Sequence, residues 1–149
     1  MSKKKLTLNE LLPLYKEALD SGKVLELSPQ GDSMLPFIVS KKDKVFLAKN
    51  SKYKRHDIVL YLRENEKLVL HRIIKCNKKK NTFVLSGDND LYNERDVPFS
   101  NILAKVIKIE SNDGRVIITA KDTLYKMLFN LNLLKKGVKK VIHKLCKRK

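Results

Sequence analysis

The sequence predicts a mainly β fold, a curled sheet domain flanked by an N-terminal helix and a basic C-terminal helix. Three observations carry this expectation. Between Lys23 and about Ala120 short apolar runs alternate with polar turns, the pattern of many short strands. On either side of that stretch the apolar spacing switches to a helical period. The chain of 149 residues suits a single domain, one long enough to bury roughly 68–70% of its unfolded surface without disulfides or a metal. The expected organisation is a helix over 1–22, a β domain over 23–120 and an amphipathic helix over 121–149.

The first helix is read over Leu6 to Ser21. Thr7 and Glu10 have capping-box spacing, and Leu8, Leu11, Leu12, Tyr15 and Leu19 recur at helical intervals. Gly22 is placed to end it, and Pro13 is expected to kink it or delay its start. Strands are then expected at Val24–Leu27, Lys44–Ala48, Ile58–Leu62, Lys67–Ile74, Thr82–Leu85, Ile102–Ile109 and Val116–Thr119. The last two form a hairpin around Asn112-Asp113-Gly114. From Asp122 onward, Leu124, Met127, Leu128, Leu131, Leu134, Val138, Val141, Ile142 and Leu145 lie along one stripe.

Lys and Arg number 33 against 16 Asp and Glu, a net charge of +17. That excess favours polyanions, either nucleic acid or an anionic membrane surface. Nucleic acid is disfavoured, because no helix-turn-helix and no aromatic-rich basic strand is present. Cys76 and Cys146 lie 70 residues apart and form no C-x-x-C pair. They read as incidental thiols in a reducing compartment, and no structural zinc and no cofactor are expected. No apolar run reaches the length of a transmembrane helix, so a cytoplasmic location is expected, with peripheral attachment at the inner membrane face.

Three segments contain residues suited to chemistry. Ser33 follows Gly31-Asp32 in a tight stretch directly after a strand, a position that exposes a hydroxyl and brings its own backbone N–H nearby. His71 lies within an apolar strand, where alternation puts it on one face with Val69 and Ile73; an imidazole suits a general base near neutral pH. Ser86 to Asp96 is a polar loop with several carboxylates, one of which can orient His71. His56 reads as a turn residue and His143 as a solvated one.

Taken together, these segments resemble a known family. Gly31-Asp32-Ser33-Met34 with Pro36 is similar to the S-M-x-P nucleophile box of signal peptidases and to the G-x-S-M form of LexA-type self-cleaving repressors. Asp57-Ile58-Val59-Leu60-Tyr61 resembles the strand written G-D-I-V, with His56 in place of the Gly. Leu70-His71-Arg72-Ile73-Ile74 resembles the strand that bears the base, and Gly87-Asp88-Asn89 the G-D-N box. The boxes occur in the family's order, with 38 residues from Ser33 to His71.

The resemblance, to serine peptidases of the S24/S26 type, implies a LexA/signal-peptidase-like curled β domain. It implies Ser33 as nucleophile and His71 as base, as in the endoplasmic-reticulum and archaeal signal peptidases. The third member falls at Glu94, with Asp88 as the alternative, and the Ser33 backbone N–H serves the oxyanion. The implied substrate is a peptide or leader peptide. The alternative is a catalytically inactive relative acting as a peptide- or nucleic-acid-binding module.

The basic C-terminal stripe yields a first prediction. Residues 121–149 carry ten basic residues and one acid, Asp122. Each basic residue near an anionic surface is worth about 1 kcal/mol. The full chain is expected to co-sediment with anionic vesicles at low salt, and a chain truncated after Ala120 is not. Full-length protein left in the supernatant of anionic vesicles at low salt would refute this.

Overall fold

A computed structural model describes residues 8–64 and 67–117, with Gly137 alone beyond them. The helix expected over 121–149 and the tip of the turn after Arg63 lie outside the described residues. Helix α1 spans Leu8–Asp20. Eight strands follow: β1 Leu25–Leu27, β2 Lys44–Ala48, β3 Ile58–Leu62, β4 Leu68–Asn77, β5 Thr82–Ser86, β6 Glu94–Pro98, β7 Ile102–Glu110 and β8 Val116–Ile117. All pair antiparallel in one sheet of order β1-β2-β7-β3-β4-β5-β6, with β8 on β7. The fold is mainly β, as the sequence predicts.

Local chemistry sets the boundaries. Gly22 adopts φ +77°, and Lys23 N–H closes back on Ala18 O at 3.0 Å, a left-handed helix terminator that a side chain would strain. Pro13 lies within α1 rather than before it. It is exposed and early in the helix, so water can serve the carbonyl that its missing N–H leaves. Gly114, at φ +79°, closes the expected β7–β8 hairpin, with Ser111 N–H bonded to Arg115 O at 2.8 Å.

One strand lies where the sequence suggests only loop. β6, Glu-Arg-Asp-Val-Pro, buries Val97 alone and forms the end of the sheet. A terminal strand tolerates Pro and exposed charge, so its pattern carries no alternation to read. Its register against β5 shifts between Phe83 and Leu85, and Asp96 sits at φ +55°. This bulge sets the pairing of Glu94 with Leu85.

Alternation along the strands divides the core between the two faces of the sheet. Ile58 and Leu60 pack with Leu19, Met34, Phe37, Ile38, Leu47 and Val106 under α1. Val59 and Tyr61 pack on the other face with Ile73, Phe83, Leu85 and Ile102. Because β4 is covered on both sides, the adjacent residues His71 and Arg72 are both buried, at 3% and 0% exposure. Arg72 reaches the first face, where its guanidinium lies 5.2 Å from the centre of the Phe37 ring. It grips Asp88 with two parallel bonds, Nε to Oδ1 at 2.8 Å and Nη2 to Oδ2 at 2.6 Å, and donates from Nη1 to His56 O at 3.0 Å.

This buried pair yields a stability prediction. Removing one partner strands a charge in the core, which costs about 3–5 kcal/mol, whereas replacing both by apolar groups is far less costly. Asp88→Ala is therefore expected to lower the unfolding free energy by about that amount. The double variant Arg72→Met/Asp88→Leu is expected to recover much of it in denaturant titrations.

Candidate active site

Ser33 sits in a compact loop between β1 and β2. Gly31 turns the chain at φ +90° and donates its N–H to Ser40 Oγ at 3.0 Å. The following turns are closed by Leu35 N–H to Asp32 O at 3.2 Å and by Phe37 and Ile38 N–H to Met34 O at 3.0 Å. Met34, Phe37 and Ile38 are buried and anchor the loop in the core, leaving Ser33 half-buried at its surface. The apolar residue after the serine is thus the plug that fixes the serine's position.

His71 is presented by β4 directly opposite Val59 of β3, on the face shared with Tyr61. Its Nδ1 lies 3.2 Å from Tyr61 Oη and 3.2 Å from Glu94 Oε1, and its Nε2 lies 3.2 Å from Asp90 Oδ2. Among the described residues no hydrogen bond joins Ser33 Oγ to the ring. Glu94 is itself tied down: Tyr61 Oη donates to it at 2.7 Å, and Arg63 grips it through Nε at 3.1 Å and through Nη2.

The electrostatics follow from that geometry. Burial pushes the His71 imidazole below its ordinary value, and the charges of Asp90 and Glu94 only partly oppose this. Burial would raise the Glu94 carboxyl, but hydrogen bonds from Arg63 and Tyr61 and the positive charge beside it hold it below the usual range. Burial, with Glu94 beside it, pushes the Tyr61 phenol well above its usual value, so it remains a donor.

The loop after β5 binds the two halves together. Asn89 N–H donates to Ser33 O at 2.7 Å, and Asn89 Nδ2 to Asp32 O at 3.3 Å. A side chain at Gly87 would place its Cβ 2.7 Å from Ser33 O and 2.4 Å from Asp90 Oδ2, so this approach requires glycine. Asp88, buried to 1% exposure, turns to Arg72. Asp57, in the segment likened to G-D-I-V, is buried against Lys105 Nζ at 2.9 Å and accepts from Lys54 N–H at 3.0 Å. His56 before it takes φ +78°, which explains why glycine suits that position.

Of the residues singled out by sequence, Ser33 and His71 line one cavity of about 530 Å³, whose walls include Leu11, Tyr15, Leu27, Met34 and Leu70. Glu94 stands against the ring's other nitrogen, while Asp88 pairs with Arg72 on the opposite side of β4. Three further side chains enter the site that the sequence did not single out: Asp90, Tyr61 and Arg63. The Tyr61-x-Arg63 spacing, running off the end of β3, was the available signal for the latter two.

The fold is that of a peptidase-like β domain. The chain matches the Peptidase S24-like family over residues 3–107 and belongs to that family. No curated protein matches it. Among the described residues no helix is long and apolar enough to cross a membrane.

The two perturbed groups predict how stability depends on pH. For His71, lowered from 6.5, the unfolded chain takes up the proton first, so stability falls as pH drops from about 6.5 through the folded value. Glu94, lowered from 4.5, gives a second loss of the same sign at more acid pH. Urea midpoints measured across this range are expected to fall in two steps. His71→Asn is expected to remove the upper step and Glu94→Gln the lower.

Proposed function

We propose that the chain is a serine endopeptidase that cleaves peptide or leader-peptide substrates by a Ser–His mechanism. The observation that carries this reading is the shared cavity: Ser33 and His71 both open on it, with Glu94 held at the far nitrogen of the imidazole. In this mechanism Ser33 Oγ attacks the scissile carbonyl carbon and passes its proton to His71 Nε2. The carbonyl oxygen, now an oxyanion, takes the Ser33 N–H. Collapse of the tetrahedral species breaks the C–N bond, and His71 returns its proton to the departing amine. Water then attacks the acyl-enzyme with His71 again as base, releasing the new carboxyl terminus and restoring Ser33.

Glu94 serves the imidazolium that forms twice in each cycle. Arg63 and Tyr61 keep it ionised and aimed at Nδ1. The apolar lining of the cavity suits an extended peptide with small residues before the cleaved bond, as the family resemblance suggests. The basic segment 121–149 would bring the cavity to an anionic membrane surface, where such peptides pass.

The test is labelling by a serine-reactive phosphonate together with cleavage of a peptide library. Labelling of the wild type and its loss in Ser33→Ala, at an unchanged melting temperature, is expected. Glu94→Gln is expected to reduce kcat/KM by up to about 10⁴-fold, the loss that follows when the carboxylate orienting a triad histidine becomes an amide. Labelling that survives Ser33→Ala would exclude this serine. A wild type that is never labelled would make the chain an inactive relative that binds peptides without turnover.

A further inference from the structure

We propose that Asp90 is a positioning residue that latches His71 Nε2 in the resting site and is displaced when a peptide enters. The inference rests on the Ser–His reading and adds a residue that this reading leaves unused. It starts from a conflict in hydrogen-bond bookkeeping. A neutral imidazole has one N–H and one lone pair. Here both ring nitrogens face carboxylate oxygens at 3.2 Å, Nδ1 facing Glu94 Oε1 and Nε2 facing Asp90 Oδ2. The Tyr61 hydroxyl, also 3.2 Å from Nδ1, donates to Glu94. With the hydrogen on Nδ1, the Nε2 lone pair confronts Asp90; with it on Nε2, the Nδ1 lone pair confronts Glu94. Only the doubly protonated ring satisfies both.

The charged and titratable groups around His71 come from three directions, Asp88 acting only through its charge from behind β4. Tyr61 and Arg63 approach from β3 and its C-terminal end, Asp88 and Asp90 from the β5–β6 loop, and Glu94 from β6. Of the two carboxylates in contact with the ring, they differ in how firmly they are held. Glu94 is fixed by Arg63 and Tyr61. Asp90 is 39% exposed and lines the same cavity as Ser33. It is held over Gly87, whose missing side chain makes room for it.

Nε2 is the atom that must accept the Ser33 proton. While Asp90 occupies it, a proton on Nε2 is favoured against the lowering that burial imposes, and the lone pair that Ser33 needs is engaged. A peptide filling the cavity moves Asp90 aside, a proton held on Nε2 passes to solvent while Nδ1 keeps its own proton toward Glu94, and the freed Nε2 lone pair can take the Ser33 proton. The latch and the nucleophile share one support, because Asn89 N–H, one residue before Asp90, bonds to Ser33 O at 2.7 Å.

The test compares the full chain with Asp90→Asn and Asp90→Ala by two measurements. The first is the titration of the His71 ring followed by NMR of its nitrogens, which needs no activity. The second is the pH dependence of Ser33 labelling by the phosphonate. An adjacent opposite charge raises an imidazole by a pH unit or more, so both variants are expected to titrate His71 about one pH unit lower. The acid limb of labelling is expected to move by the same amount, making the variants about tenfold faster below the wild-type midpoint. Asp90→Asn, nearly isosteric, guards against a folding defect in Asp90→Ala. An unchanged His71 titration in both folded variants would overturn the proposal. So would an alkaline plateau as low as that of Ser33→Ala, which would make Asp90 part of the chemistry. If the wild type is not labelled at all, the Ser–His reading fails, while the NMR titration still decides whether Asp90 holds Nε2.

Discussion

The relation between Ser33 and His71 depends on the ion pair between Arg72 and Asp88. Arg72 is the neighbour of His71 on β4, and Asp88 is the centre of the loop that touches Ser33. The two-pronged bond between them fixes the distance from strand to loop, and the loop in turn fixes Ser33 through Asn89. A buried pair of this kind is a poor source of stability, because desolvating two charges consumes most of their attraction. Its value is geometric. A guanidinium and a carboxylate meet in one plane and one register, which an apolar contact of the same size would leave loose. The Nη1 bond to His56 O extends the same constraint to the turn before β3.

The sheet explains how one strand can serve two purposes. In a strand covered on a single face, alternate residues go to solvent. β4 is covered on both, so His71 faces the site and Arg72 faces the core with no exposed residue between them. The lowered imidazole follows from this placement, since the burial needed to hold the ring firmly also disfavours its charged form. Glu94 moderates that conflict from the Nδ1 side, and Arg63 keeps Glu94 ionised while it does so.

Much of this was legible in the sequence, for reasons that differ by element. β2 and β3 have the expected bounds, because Val45 to Ala48 and Ile58 to Leu62 are uninterrupted apolar runs between polar turns. β4 runs on to Asn77, three residues beyond expectation, since its end is partly polar and kinked by a register shift between Ile73 and Lys75. β6 was not legible, because the end of a sheet needs no apolar alternation. Ser33 and His71 stood out through their neighbours in sequence. The carboxylates did not sort themselves: Asp88, Asp90, Glu94 and Asp96 lie within nine positions of one another, and spacing alone cannot say which turns toward a ring and which toward Arg72. That assignment is made by β6 pairing and by the Gly87 approach, both of which are tertiary.

Among the described residues, Glu94 opens a strand that has a neighbour on one side only. Sheet ends open locally at lower free energy than the centre, without the rest of the molecule unfolding. The carboxylate beside the imidazole therefore belongs to an edge of the described sheet, whereas His71 belongs to an interior strand. Fraying of this rim would uncouple Glu94 from the ring while the core stayed intact. Rising denaturant should then part Glu94 from the ring before the global transition, so the persistence of this arrangement is set by the margin of the sheet rather than by its centre.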